Sequence, residues 1–281
     1  MNEASPIIQV RGATVRSGGE TMVEDLTFRV RRKQHTAILG PNGAGKSTLL
    51  ELLTYRRRPY AGKDGRGTVR VFGEDHWDVF ELRSHMGVVS EELHDRFLRR
   101  SQRLTGFEAV ASGYFSSPRI PVGREIGDEI REASRAALDR LSVGHLAEKK
   151  VGTMSNGELR RILIARALAP EPNALLLDEP TTGLDLAGRR RLAELLRELA
   201  RGDTTIVLAT HHVEEIFPEI GRVMLLRDGR IAADGPKPHL LTSERLSPLY
   251  DAQVSVRAQP DGYFQARVDA IHSPTNAHSH G

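Results

Sequence analysis

The run "GPNGAGKST", residues 40–48, holds residue types that can do chemistry on a phosphate. Residues 40–47 fit G-x-x-x-x-G-K-[ST], with the apolar "AIL" before and the amphipathic "TLLELL" after, which is the strand–loop–helix context this pattern needs. Gly43 and Gly45 let the backbone curl so that successive N–H groups converge on an anion. The helix starting near Lys46 adds the positive end of its dipole. Lys46 supplies a point charge for β- and γ-phosphates, and Ser47 a hydroxyl oxygen for Mg²⁺. Gly40, Pro41, Asn42, Gly43, Ala44, Gly45, Lys46, Ser47 and Thr48 are therefore read as the walls of a nucleoside-triphosphate site.

Two other runs supply titratable groups. In "NALLLDEPTTGLD", four apolar or small residues lead into Asp178 and Glu179. Period-two geometry sends adjacent side chains to opposite sides of a strand end, so the two carboxylates are expected to divide the work. Asp178 is placed to hold Mg²⁺ through its water shell, and Glu179 to orient or deprotonate the attacking water. "TTIVLATHH" ends a further apolar run on His211. Sequential strands tend to be neighbours, which sets His211 beside the carboxylate strand, within reach of a γ-phosphate, and leaves His212 facing solvent. Glu179, His211 and Lys46 form the expected catalytic set.

A third run, "TMSNGELRR", poses a question. Ser155 with Glu158 three residues on is a Ser-x-x-Glu capping box ahead of "LRRILIARALA". Yet Asn156 and Gly157 are weak helix formers in that first turn. Either the tip is an ordinary loop, or its amides are kept free for an anion.

The elements that must position these residues follow from periodicity. Alternation and β-branched residues mark strands at "PIIQVRGATV", "TFRV", "HTAILG" and "GTVRVFG". Later strands are "ALLLDE", "TTIVLAT" and the pair "RVMLL" and "RIAAD", joined by Asp228 and Gly229 as a tight hairpin. Helical spacing is clearest at Ile126, Ile130, Ala133, Ala137 and Leu141, and at Leu192, Leu195, Leu196 and Leu199, with Gly144 and Gly202 as stops. Thr105 with Glu108 gives another capping-box start. The order is a mostly β N-terminal third, a helical insertion at about residues 92–168, and then strand–helix–strand, which argues for a parallel sheet. After Pro236 the character changes. "VSVRAQPDGYFQARV" reads as a small hairpin around Pro260, Asp261 and Gly262, and the tail with His272, His278 and His280 reads as disordered rather than metal-binding.

Composition bounds the function. The 281 residues are 39% hydrophobic and 27% charged, as in a soluble globular chain. Forty basic against 37 acidic residues leave only +3, too little to argue for nucleic acid. The basic runs at residues 31–33, 56–58 and 189–191 are read as solvated faces and helix ends. Cysteine is absent, which is compatible with a reducing cytoplasm. The N-terminus lacks the regions of a signal peptide, and no apolar run approaches the roughly 18 residues of a membrane helix, so any membrane role is peripheral.

Together these pieces resemble the ATP-binding cassette (ABC) ATPases over nearly all of residues 5–240. "GPNGAGKST" resembles the Walker A motif, "ALLLDE" Walker B with its catalytic glutamate, "TGLD" with Asp185 the D-loop, and His211 the switch histidine. "MSNGE" stands where the family has its signature. The resemblance implies an α/β P-loop fold with a RecA-like core, an antiparallel β subdomain and a helical signature subdomain. It gives a cassette over residues 5–245 and a C-terminal extension over 246–281. It further implies ATP and Mg²⁺, a head-to-tail pair of copies, and membrane-spanning partners reached from the inner face of the membrane. In such a pair Ser155, Gly157 and Asp185 join the nucleotide site in trans, so the tip of "TMSNGELRR" serves the ATP held by the other copy.

Three positions depart from the family pattern. Glu91, in "MGVVSEE", stands in place of the usual glutamine that touches Mg²⁺, and brings a charge to that site. "ATVRSGGE" offers Arg16 or Ser17 where an aromatic ring usually stacks on adenine, implying weak base selectivity. Asn156 and Glu158 replace Gly and Gln in the signature. "S-x-G-E" signatures with "SGYF"-like stretches resemble single-cassette subunits for molybdenum or iron-chelate uptake. A transporter ATPase is the leading expectation. A soluble cassette acting on nucleic acid or protein, and a nucleotide sensor with weak turnover, are the alternatives.

Overall fold

The computed structural model describes residues 5–60, 67–115, 117, 119–121 and 123–271. Strands β1 (Pro6–Ser17) and β2 (Glu20–Arg31) alternate buried and exposed residues and pair antiparallel. Their inward set, including Ile8, Val10, Ala13, Leu26, Phe28 and Val30, packs with β3 (Thr36–Leu39) and helix α1 (Lys46–Leu53). Strand β4 (Thr68–Val71) joins β1 to complete a three-stranded antiparallel sheet in the order β2-β1-β4.

Helix α2 (Val79–His85) leads to β5 (Met86–Val89), followed by α3 (Glu91–Arg100), α4 (Gly106–Ala111), α5 (Asp128–Arg140) and α6 (Asn156–Leu168). After them come β6 (Ala174–Asp178), α7 (Leu186–Arg201), β7 (Thr205–Thr210), β8 (Arg222–Arg227) and β9 (Arg230–Pro236). The main sheet is six-stranded, in the order β5-β6-β7-β3-β8-β9, parallel except for β9. The parallel strands are covered on both faces, which is why they are continuous apolar runs, whereas the antiparallel edge strand β9 has no fully buried residue. Leu39, Leu177 and Leu208 point into the helical side, whereas Ile38, Leu176 and Val207 point towards α1 and the antiparallel sheet. At the β8–β9 turn, Asp228 and Gly229 both take positive φ, 48° and 73°, as the two-residue hairpin requires.

Helices α3 to α6 run between Glu91 and Leu168, and Thr105 with Glu108 forms both bonds of the α4 capping box. Gly144 does not end α5. The helix stops at Arg140, Ser142 takes the left-handed conformation at φ 52°, and Gly144 opens a 3-10 turn (Gly144–Leu146). Glycine spacing alone misplaced that stop by a few residues, because a polar serine takes the left-handed position here. Ile126 precedes the helix rather than lying on it.

The chain continues through α8 (Lys237–Leu240), α9 (Ser243–Tyr250), β10 (Ala252–Ala258) and β11 (Phe264–Ile271), the last two forming a two-stranded sheet. Residue 245 lies inside α9, and Leu246, Leu249, Ala252 and Val254 are buried in the same core as the helical stretch. The tail histidines His272, His278 and His280 lie outside the described residues. Among the described residues, no helix is long and apolar enough to cross a membrane.

Candidate functional site

The cradle is the loop between β3 and α1, at the C-terminal edge of the parallel sheet. Gly43 and Gly45 take φ 81° and 99°, the left-handed region that glycine enters without strain. Gly45 is also crowded: a Cβ there would lie 2.7 Å from the Val23 side chain. Gly45 stands at the helix N-cap with no side-chain cap, so no side chain competes for the first-turn amides of α1. Pro41, Asn42 and Gly43 line the outer part of the loop, Ala44 and Thr48 are buried beneath it, and Ser47 is exposed. The Ala44 carbonyl accepts from Gly229 N at 3.1 Å, which ties the loop to the β8–β9 turn.

Lys46 is 6% exposed. Its Nζ donates to the carbonyls of Gly40 at 2.9 Å and Pro41 at 3.1 Å, and lies 3.4 Å from Glu179 Oε1. The other Glu179 oxygen is 2.8 Å from His211 Nδ1, a close approach whose angle falls outside hydrogen-bond geometry. His211 follows β7, which pairs with both β6 and β3, so the three side chains meet across adjacent strand ends. The alternation expected of Asp178 and Glu179 fails at Glu179. Its φ of 47° takes it out of the strand, and its side chain turns towards Lys46, the same charge that acts on Asp178. His212 does not simply face solvent. It is half-buried, its ring lies 3.8 Å from that of His211, and it lines a cavity shared with β11.

Asp178 keeps Oδ1 buried without a hydrogen-bond partner. Burial is the chief cause pushing its carboxyl above the ordinary range. The Ser47 hydroxyl and Lys46 oppose that shift, and the charges of Glu179 and Glu91 add to it. Glu91 opens α3 and is exposed, behind the Ser90 cap that accepts from Leu93 N at 3.2 Å. Ser47, Asp178 and Glu91 therefore share one electrostatic neighbourhood. Among the described residues, no group of three or more His, Cys, Asp or Glu forms a metal cage of its own.

Ser155, Gly157 and Asp185 form a second group, lining a cavity of about 310 Å³ at the tip of α6. The capping box is complete: Glu158 N donates to Ser155 Oγ at 3.3 Å, and Ser155 N to Glu158 Oε2 at 2.7 Å. Lys149 clamps the Glu158 carboxylate at 2.8 Å, the main cause holding its carboxyl below the usual range. Asp185 caps α7 through Gly188 N at 2.6 Å.

Sequence reasoning missed several neighbours. Arg160, 2% exposed on α6, donates to the Thr182 carbonyl at 3.4 Å, while its Nε and Nη1 have no partner. Of the acidic groups around it, Glu91 acts most strongly. Arginine within an apolar helical run was the available signal. The ring nearest Arg16 is Tyr60, 4.5 Å from the guanidinium, brought there by Tyr60 N donating to the Thr14 carbonyl.

Residues 23–182 match the family model "ABC transporter". The uncharacterized ABC transporter ATP-binding protein YlmA of Bacillus subtilis (strain 168) is 31% identical over 276 residues, covering 96% of this chain and all of that protein. The cobalt import ATP-binding protein CbiO of Rhodobacter capsulatus is 36% identical over 240 residues, covering 85% of this chain and 81% of its own length. Among solved structures, an inward-facing conformation of what is described as a metal-chelate type ABC transporter superposes with a TM-score of 0.77. It is 27% identical and covers 95% of this chain and 98% of the other. A parallel sheet with the phosphate loop at its edge, an antiparallel β sheet and a helical stretch ending in a capped signature helix complete the agreement, and the chain belongs to the ABC transporter family as an ATP-binding, ATP-hydrolysing cassette.

Proposed function

We propose that this chain powers an importer, as a head-to-tail pair of copies docked on separate membrane-spanning proteins at the cytoplasmic face of the membrane. Import is the direction named for relatives such as CbiO and the hemin import ATP-binding protein HmuV of Aliivibrio fischeri, 29% identical over 266 residues. Their cargoes differ, cobalt in one and hemin in the other, so cargo choice is assigned to the membrane partners.

In this reading Lys46 and the cradle amides hold the β- and γ-phosphates, and the α1 dipole favours their charge. Glu179 takes the proton of the attacking water, and His211 orients that water and the γ-phosphate. The hard oxygen donors Ser47 and Asp178 fit Mg²⁺, because Asp178 Oδ1 is a buried acceptor with no hydrogen-bond donor of the protein on it. Ser47 and Asp178 would hold the ion where its charge would offset that developing on the phosphates. Glu91 brings a negative charge to the edge of that site. Ser155 and Gly157 present anion donors to the ATP of the partner copy, and loss of the γ-phosphate releases the pair.

The observation that carries the proposal is Glu179 set between Lys46 and His211, while the Ser155 tip lines a separate cavity. Sedimentation of Glu179→Gln tests it: ATP is expected to convert monomer to dimer. A monomer at saturating ATP, alongside full turnover by the unmutated chain at high dilution, overturns the paired mechanism.

A further inference from the structure

The segment after β7 carries His211 on irregular backbone, so the imidazole is only as fixed as the peptide behind it. That peptide is held at both ends. The His211 carbonyl accepts from the Tyr250 hydroxyl at 3.0 Å, and the His212 N–H donates to Thr210 Oγ1 at 3.0 Å. Thr210 in turn donates to Glu215 Oε2 at 2.6 Å, and the Thr181 hydroxyl, just past Glu179, donates to Glu215 Oε1. The C-terminal hairpin takes hold of the next residue, with Ala266 N on β11 donating to Glu214 Oε1 at 3.0 Å. Further along, buried Lys237 ties the carbonyls of Phe217 at 3.2 Å and Pro218 at 3.1 Å to that of Gly262, in the hairpin turn, at 3.4 Å. Apart from the Lys237–Gly262 bond, each of these bonds ends on the stretch from His211 to β8.

We propose that α9 and the β10–β11 hairpin are a positioning element for hydrolysis, with Tyr250 the residue that sets His211 against Glu179. The inference rests on the reading of Glu179 and His211 given above, and it assigns the C-terminal extension a part in turnover. Tyr250 is a positioning residue, since its hydroxyl acts on the His211 backbone. Its ring is half-buried at the C-terminal end of α9, and burial is the main cause raising its phenol above the usual value, so the hydroxyl remains a donor at neutral pH. Removing that hydroxyl frees one end of the peptide while leaving the packing of the ring intact. Removing the Glu214 carboxylate releases the hairpin from the same loop.

The test uses the full chain, with Tyr250→Phe and Glu214→Ala made alone and together. Each single change is expected to lower kcat by about three- to tenfold, the scale of one net hydrogen bond felt in the transition state, with KM for ATP unchanged. In a His211→Ala background, Tyr250→Phe is expected to have no further effect, which a merely structural role would not produce. Hydrogen exchange of the amides at residues 211–217, read without nucleotide, is expected to quicken in Tyr250→Phe. An undiminished kcat with unchanged exchange overturns the proposal, and so does a loss of the same size in the His211→Ala background. If the unmutated chain fails to hydrolyse ATP, the functional reading falls, and the exchange measurement alone decides the brace.

Discussion

Glu179 occupies the space between a buried ammonium and an imidazole, with Oε1 3.4 Å from Lys46 Nζ and its second oxygen turned to His211. In the proposed reading the γ-phosphate competes with Glu179 for the same ammonium. On that reading, the contact keeps base and phosphate anchor together until substrate arrives.

Glu179→Gln keeps the shape and removes the base. Turnover is expected to fall by about 10²–10⁴-fold while ATP affinity is held or improved, because Lys46 loses its internal carboxylate. Phosphate release and equilibrium nucleotide binding check the two halves. A loss of binding that matches the loss of rate would refute the separation.

The observed cap at Ser155 and its proposed role in trans can be pulled apart. Ser155→Ala removes a helix cap, about 1 kcal/mol of stability, and a donor to the partner's phosphate, about 10²-fold in kcat. Ser155→Asp restores the cap but sets a carboxylate against the phosphate. Its melting temperature is expected to return to that of the unmutated chain while turnover stays low. Recovery of both would mean that the hydroxyl serves only as a cap.

The cap also has a pH signature. The Glu158 carboxyl is held below its ordinary value, first by Lys149 and then by the Ser155 amide. A depressed carboxyl contributes stability above its unfolded pKa, about 4.3, and that contribution is lost as pH falls through the folded value. Glu158→Gln is therefore expected to melt earlier than the unmutated chain at pH 7, and the gap to close towards pH 3. A gap constant across that range would exclude the carboxylate as its source.

Asp178 should behave in the opposite sense. Burial raises its carboxyl, so the ionised form destabilises the fold at neutral pH until a cation joins it. Asp178→Asn is expected to melt higher than the unmutated chain without Mg²⁺, to gain nothing when Mg²⁺ is added, and to lose turnover. Thermal melts with and without EDTA decide. A destabilised Asn variant would show that the carboxylate already has its partners.

What could be read from the sequence was whatever lies close along the chain. The cradle, both capping boxes and the Asp228-Gly229 hairpin are each set within a few residues, by glycine freedom or by side chain-to-backbone bonds. Glu179 does meet Lys46 and His211, but alternation gives no account of how, since it assumes a strand that the left-handed backbone at Glu179 has already left. Partners distant in sequence gave no signal. Tyr250 reaches His211 across 39 residues, and Thr181 reaches Glu215 across 34. No local pattern marks such pairs.

The strand that carries the phosphate loop is flanked by strands made much later. Thr36 in β3 aligns with Val207 on one side and with Arg222 on the other. As the chain emerges during synthesis, β3 has neither neighbour until the last third has been made, and an apolar strand with two open edges invites wrong pairing. A nascent chain stopped before β8 should bind no nucleotide and should depend on chaperones. The motif is encoded early, yet its competence is among the last properties the polypeptide acquires.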